Sequence, residues 1–215
     1  RDVRLQWRAR RSATGDDDRV RVSVRSRRPS ADTSKGLKRR RHPLIFGREV
    51  REAHRLYGLA PSLTLALIRT ESAYQSDIMS ASNARGLMQL LPATANKVAA
   101  AMGEHEPGAL ALFSPSLNIR YGNWYLAALV EGFGSVELAL AGYNGGPYNI
   151  KSLILAKEGL PLDIFIETLS FEETSLYVKR ITESRYIYEM VYLGRARLPE
   201  LTVPVRAPGP SLPGF

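Results

Sequence analysis

Residues 61–95 read PSLTLALIRTESAYQSDIMSASNARGLMQLLPATA and carry the strongest structural signal in the chain. Pro61 suits the first turn of a helix, and the apolar spacing after it predicts a helix over PSLTLALIRTES. A loop rich in Ser, Asn and Gly follows, and Pro92 then opens a second predicted helix that closes at Gly103. Two helices joined by a polar loop therefore form the centre of the predicted domain.

The rest of the chain up to residue 194 also has a helical pattern. Nothing alternates with a period of two for long enough to make a sheet, so the sequence predicts an all-α domain over residues 42–194. Four other helices are predicted before residue 162: residues 43–57, ended by Gly58; Pro115 to about Val130, with Ser114 as N-cap; residues 135–143; and a helix that begins at Pro147 and ends at residues 159–161. A last helix begins at the capping-box residues 170–173, and its apolar face carries Tyr177, Ile181, Tyr188 and Val191.

The positive charge is confined to the start of the chain. Residues 1–41 carry a net charge of +10, whereas residues 42–215 carry a net charge of −1. The first segment has no sustained apolar periodicity, so we expect a basic, disordered arm over residues 1–41. The alternative is an arm that binds nucleic acid or an anionic polymer. Five prolines in residues 199–215 predict an extended tail over residues 195–215.

Composition excludes several classes of function. The chain has no cysteine, and its three histidines are widely spaced, so neither a thiol nucleophile nor a zinc hydrolase is expected. No window reaches the ~18 to 20 apolar residues of a membrane span. The order of charged, apolar and small residues that marks a signal peptide is absent, so none is expected in this chain.

Glu71 is the candidate catalytic group. It lies in the last turn of the helix that Pro61 opens, directly above Leu67 and Ile68 at i−4 and i−3. Partial desolvation on this apolar stripe and the negative end of the helix dipole both raise the pKa of a carboxyl. A raised pKa suits a general acid near neutral pH. The alternative is a solvated glutamate at a helix end.

Four motifs in order carry a family resemblance. The chain resembles the catalytic domain of the soluble lytic transglycosylases, which have a goose-type lysozyme-like fold, from about Pro43 to about Tyr192. The motifs are ESAY at 71–74, SASNARGLMQLLPATA at 80–95, AGYNGGP at 141–147 and ETSLYV at 173–178, with LFSP at 112–115 and NIR at 118–120 between them.

The resemblance implies a role for each matching residue. Glu71 matches the family's single catalytic acid and base, and the metal and cofactor requirements are expected to be none. Glu173 is also explained as a member of a capping box, so its substrate role remains open. Six residues match positions that bind or face the glycan: Ser80, Gln89, Tyr143, Asn144, Glu173 and Tyr177.

Two departures from the family pattern bear on the site. Ser175 stands where the family usually has Arg, which casts doubt mainly on Glu173. Asn83 occupies a usual Gly position, where Asn still tolerates a left-handed backbone.

The resemblance implies cleavage of the β-1,4 bond between N-acetylmuramic acid and N-acetylglucosamine in peptidoglycan, without water, to give 1,6-anhydromuramoyl products. The expected partner is the glycan strand, and the expected location is the cell envelope or periplasm. Nucleic acid is not expected as a partner of the domain, and the oligomeric state is not predicted. The alternatives are a hydrolytic muramidase on the same fold, a non-catalytic glycan-binding module, and a nucleic-acid binder that acts through its arm.

Overall fold

The computed structural model describes residues 31–170, 172–196 and 199–208, with side chains from residue 36 onward. Within these ranges the backbone is helical, and β-pairing is limited to isolated bridges. A short 3₁₀ helix at Ala109–Phe113 lies between α4 and α5. The α-helices are α1 (Ala31–Arg41), α2 (Gly47–Tyr57), α3 (Pro61–Ser72), α4 (Pro92–Ala101), α5 (Pro115–Phe133), α6 (Val136–Gly145), α7 (Pro147–Ala156), α8 (Leu162–Glu167) and α9 (Glu172–Leu193).

Proline and glycine set most of the helix boundaries, as the sequence predicts. Proline occupies the first turn of α3, α4, α5 and α7. Gly58 ends α2 in the left-handed conformation, and its N–H donates to the carbonyl of His54. Ser135 caps α6, because its Oγ accepts from the N–H of Leu138 at 3.4 Å. The all-α prediction is confirmed.

Helix α3 forms the centre of the core. Its residues from Leu63 to Ile68 are all buried, so the helix is enclosed on every side. It packs along α9, while α5 packs on α2 and α6, and α6 lies against α7 and α9. The helix that carries Glu71 at its C-terminal end is therefore held within the core.

Two short helices were not predicted. Pro161 was interpreted as the end of a helix, but α8 begins directly after it at Leu162, with Phe165 buried against the core. The 3₁₀ helix at Ala109–Phe113 is too short for a periodic signal and places only Leu112 in the core.

Part of the predicted arm is ordered. Residues 31–41 form α1, which corrects the expectation of disorder at that end, whereas residues 1–30 lie outside the described residues. Three contacts hold the end of α1: Arg69 Nε donates to the carbonyl of Arg41 at 3.0 Å, Tyr192 Oη donates to the carbonyl of His42 at 2.7 Å, and the Arg39 guanidinium lies over the Tyr192 ring. Tertiary contacts therefore stabilise a segment whose composition alone does not.

Residues 199–208 of the Pro-rich tail lie against the domain, with a turn at residues 201–202 and a bend at Val203. The N–H groups of Leu162 and Asp163 donate to the carbonyls of Val203 and Leu201, and the N–H of Val205 donates to the carbonyl of Leu160. Val205 is buried, whereas Val203 is exposed. Residues 201–205 thus contribute one side chain to the core.

Candidate active site

Glu71 lies in the last turn of α3, which ends one residue later at Ser72. Leu67 and Ile68 beneath it are completely buried, as the sequence predicts. The pKa of Glu71 is raised to about 7: burial is the main cause, the hydrogen bond from Tyr177 lowers the pKa, and the nearby Glu173 charge adds a smaller increase. The Tyr177 Oη donates to Glu71 Oε1 at 2.5 Å. At neutral pH the carboxyl is thus divided between its acid and base forms.

Three predicted site residues surround this carboxyl. Tyr177 and Glu173 come from the first turns of α9, and Tyr143 comes from α6. The Glu71 charge contributes to the raised pKa values of both Tyr143 and Tyr177, where burial is the larger cause. Tyr143 is fixed by donating to the carbonyl of Met88 at 2.8 Å. These four side chains form one cluster at the junction of α3, α6 and α9.

Asn144 lies beside the cluster and links two helices. Its Oδ1 accepts from Thr174 Oγ1 at 2.7 Å, which joins the end of α6 to the start of α9. The side chain is otherwise exposed, so its amide remains accessible to a ligand.

Ser80 and Gln89 bond to their own loop. Ser80 Oγ accepts from the N–H of Ala84 at 3.0 Å. Gln89 has a left-handed backbone with φ of 47°, and its Nε2 donates to the carbonyls of Gly86 at 2.8 Å and Ile78 at 3.3 Å. Both side chains therefore stiffen the loop between α3 and α4, and their substrate contacts stay predictions.

Asn118 is a structural residue of the site for which the sequence suggested no role. It is completely buried, and its Nδ2 donates to the carbonyls of Arg85 and Leu112, both at 2.8 Å. Its Oδ1 accepts from the N–H of Met88 at 2.7 Å. Asn118 is the first residue of the NIR element. Spacing along the sequence does not tell a buried asparagine from an exposed one, so its structural role was not predicted.

Ser72 holds the same loop against α3. Its Oγ lies 2.9 Å from the carbonyl oxygen of Leu87 and 3.0 Å from that of Ile68, and the residue is buried. Ser72 and Asn118 thus hold the loop between α3 and α4 against α3 and α5.

The described ranges contain no group of three or more His, Cys, Asp or Glu side chains placed to hold a metal ion. Nor does any helix in that part of the chain have the length and apolar character needed to cross a membrane.

A family model for the transglycosylase SLT domain matches residues 49–161, just over half of the chain. The chain belongs to this family. The matched residues include Glu71, Ser80, Gln89 and the Tyr143–Asn144 pair, whereas Glu173 and Tyr177 lie beyond them on α9. The residues matched by the family model therefore include Glu71, Tyr143 and the loop between α3 and α4, and the remaining two side chains of the cluster, Glu173 and Tyr177, come from α9.

Individual proteins show the same relationship. The soluble lytic murein transglycosylase of Escherichia coli is 34% identical over 125 residues, which are 56% of this chain and 19% of that protein. The membrane-bound lytic murein transglycosylase C of Edwardsiella ictaluri is 34% identical over 125 residues, 54% of this chain and 35% of that protein. The chain thus spans about a fifth to a third of the length of these curated relatives.

A solved structure matches the fold. An inactive glutamate-to-glutamine mutant of the lytic transglycosylase Slt from Pseudomonas aeruginosa superposes with a TM-score of 0.69 and 31% identity. The match covers 77% of this chain and 26% of that one. The helical, lysozyme-like fold expected from the sequence is confirmed.

Proposed function

We propose that this SLT domain is a peptidoglycan lytic transglycosylase that cleaves the β-1,4 bond between N-acetylmuramic acid and N-acetylglucosamine without water. The observation that carries this proposal is the Glu71 carboxyl, held on a buried stripe with its pKa raised to about 7 and bonded to Tyr177. Family membership and the relatives' activity as lytic murein transglycosylases support the choice of substrate.

Glu71 acts first as an acid and then as a base. The protonated carboxyl gives its proton to the glycosidic oxygen, and the bond from that oxygen to C1 of the muramic acid breaks. The muramoyl N-acetyl group stabilises the cationic C1, because substrate assistance can replace a second carboxylate. The Glu71 carboxylate then removes the proton of the C6 hydroxyl, whose oxygen bonds to C1 and closes the 1,6-anhydro ring.

Tyr177 supports the base form. Its hydroxyl donates to the carboxylate at 2.5 Å, which stabilises the charge left on Glu71 after the first proton transfer. Burial favours the acid form of the same group, so the two effects together keep the pKa of Glu71 near neutrality. One carboxyl can then serve both steps.

The remaining cluster is proposed to hold the glycan. Exposed Asn144 and Glu173 offer an amide and a carboxylate at the edge of the site, and Tyr143 contributes an aromatic wall. We include Ser80 and Gln89 as binding residues, acting from a loop that their own hydrogen bonds already fix. The proposed partner is the peptidoglycan strand, the proposed location is the cell envelope, and no cofactor takes part in these steps.

A hydrolytic muramidase is the second candidate, favoured by one observation. Glu173 lies close enough for its charge to raise the pKa of Glu71, so a second carboxylate is present at the site. A hydrolase would use such a group to activate water. Glu173 is exposed on the first turn of α9, and Asp77 is the other acidic residue of the region that follows Glu71.

Three variants test the assignment. Glu71→Gln keeps the size of the side chain but cannot transfer a proton, so we expect turnover of purified peptidoglycan to fall by at least about a thousandfold, while pelleting with the glycan persists. The matched controls Asp77→Asn and Glu173→Gln should retain turnover, with Glu173→Gln weakening glycan binding. Turnover near the wild-type rate in Glu71→Gln, or its complete loss in Glu173→Gln or Asp77→Asn, would contradict the single-acid mechanism.

A further inference from the structure

The chain reverses direction immediately after the catalytic helix, in a conformation that its residues do not favour. Ala73 and Tyr74 both have left-handed backbones, with φ of 48° and 71°, although neither is glycine. Such consecutive residues persist only where surrounding contacts hold them. This turn starts two residues after Glu71, so whatever holds it also bears on the position of the carboxyl.

Two tyrosine hydroxyls provide the contact. Tyr74 Oη is hydrogen-bonded to Tyr188 Oη on α9, and Tyr188 is almost completely buried. Tyr188 Oη in turn donates to the carbonyl of Pro43 at 3.1 Å. Because each hydroxyl has one proton, Tyr74 is the donor to Tyr188. These two hydrogen bonds thus connect the turn to α9, and α9 to the segment before α2.

The same helix carries both partners of the acid. Tyr177 donates to Glu71, and the Glu173 charge acts on it, both from the N-terminal part of α9. Tyr188 lies 11 residues further along, about 16 Å on an ideal helix. The pairs Glu71–Tyr177 and Tyr74–Tyr188 therefore join α3 and its turn to α9 at two separate levels.

We propose that Tyr74 and Tyr188 are positioning residues, which lock the turn after Glu71 onto α9 and thereby hold the Glu71 carboxyl against the Tyr177 hydroxyl. Neither residue touches the carboxyl or belongs to the binding cluster. The proposal deepens the proposed function and rests on it for the role of Glu71.

The ring of Tyr188 is itself held in place. The His42 ring packs edge-on against it, with centroids 5.2 Å apart, and the Tyr192 ring stacks on its other side at 6.1 Å. Removing only the Tyr188 hydroxyl therefore leaves a packed aromatic ring, so a Tyr→Phe change tests the hydrogen bond rather than the core.

The experiment compares three Tyr→Phe variants of the full chain. Tyr74→Phe and Tyr188→Phe each remove the hydrogen bond between the two tyrosine hydroxyls. Tyr192→Phe is the matched control, because its hydroxyl also joins α9 to the segment before α2, through the carbonyl of His42, but does not reach the turn. The readouts are kcat, KM and the pH profile on peptidoglycan, and the pKa of Glu71 from the NMR titration of its labelled side-chain carboxyl.

A loosened turn admits water to the carboxyl, whose raised pKa is caused mainly by burial. The other groups facing it are Tyr177 and Glu173 from α9 and Tyr143 from α6. Weakening the Tyr177 hydrogen bond would raise the pKa of Glu71, but burial is the larger cause of its shift, so we expect the water admitted to dominate and the pKa to fall by about one unit in Tyr74→Phe and Tyr188→Phe. The alkaline limb of kcat/KM should move to lower pH, and kcat should fall by about tenfold with KM nearly unchanged.

Tyr192→Phe should lose thermal stability without changing either profile. Adding Tyr74→Phe to Tyr188→Phe should not change the Glu71 titration further, because Tyr188→Phe already removes the Tyr74–Tyr188 bond together with the Tyr188 bond to Pro43. An unchanged Glu71 titration in Tyr74→Phe and Tyr188→Phe would overturn the proposal, as would an equal shift in Tyr192→Phe. The titration needs no turnover, so it decides the positioning role even if the proposed activity fails.

Discussion

At the scale of single residues, the burial beneath Glu71 was predictable from spacing, whereas its long-range contacts were not. The helical spacing placed Leu67 and Ile68 under the carboxyl, and the raised pKa follows from that burial. The contact with Tyr177 lies 106 positions along the chain and was implied by family resemblance rather than by spacing. Local patterns report local environment, and a long-range hydrogen bond depends on how the helices pack.

The loop side chains show the limit of such reasoning. Ser80 and Gln89 are polar residues between two helices, and the resemblance gave both a substrate role. In the structure their polar atoms bond to backbone groups of the same loop. Gln89 makes its bonds from a left-handed backbone, which nothing in the identity of a glutamine indicates.

The raised pKa of Glu71 predicts a cost in stability. A carboxyl whose pKa is about 7 in the folded chain and near its ordinary 4.5 in the unfolded chain destabilises the fold increasingly as pH rises through that window. The Glu71→Gln variant carries no charge, so it should exceed the wild type in free energy of unfolding by about 2–3 kcal/mol at pH 8. At pH 4 the two should be nearly equal.

Urea unfolding at both pH values measures this difference. Glu167→Gln is a suitable control, since its carboxylate pairs with Lys179 on the surface at 2.7 Å, away from α3. A constant offset between Glu71→Gln and the wild type at the two pH values would mean that the carboxyl is not desolvated in the folded protein.

At the scale of elements, helix starts and stops were predictable because proline and glycine act locally. Pro61, Pro92, Pro115 and Pro147 each open a helix where expected. Helix α8 escaped prediction because Pro161 was interpreted as a terminator, although proline suits the position just before a helix as well. Distinguishing the two requires knowing that Phe165 is buried.

Gly86 is the point where the loop between α3 and α4 approaches its neighbours most closely. It has φ of 74°, and an added Cβ would lie 2.2 Å from the carbonyl oxygen of Leu112 and 2.5 Å from Asn118 Nδ2. Gly103 has nearly the same backbone, with φ of 69°, but open space around the same position. Substituting alanine at Gly103 would therefore add backbone strain alone, whereas the same change at Gly86 would add both backbone strain and a steric collision.

We expect Gly86→Ala to destabilise the fold by about 3 kcal/mol or more, since strain and collision combine. Gly103→Ala should cost only about 1 kcal/mol, because strain acts alone. Chemical denaturation of the two variants measures the difference, and equal losses would show that the loop yields to the added methyl group.

At the scale of the whole molecule, residues 39–43 and 201–205 are attached to the domain more firmly than their composition suggests. The segment before α2 is held by Arg69, Tyr188 and Tyr192, and the tail pairs with residues 159–163. Both attachments depend on partners distant in sequence, so a basic, polar segment and a proline-rich one gave no sign of them.

The tail offers a direct test of this attachment. Val205 is 3% exposed and Val203 is 44% exposed, although they are only two residues apart. Val205→Ala should lower the free energy of unfolding by about 1–2 kcal/mol through lost burial and a small cavity. Val203→Ala should change it by less than about 0.5 kcal/mol. Thermal melts of both variants compare them, and equal effects would show that the tail is not packed on the domain in solution.

The central claim is that Glu71 acts as both acid and base in transglycosylation, and the identity of the released products tests that claim most directly. The decisive measurement is mass spectrometry of the muropeptides released from purified peptidoglycan, with Glu71→Gln as the control. We predict products that end in 1,6-anhydromuramic acid from the wild type and none from the variant. Reducing-end products, one water heavier, would contradict transglycosylation and identify a hydrolase that uses a second carboxylate, with Glu173 and Asp77 as the residues to examine.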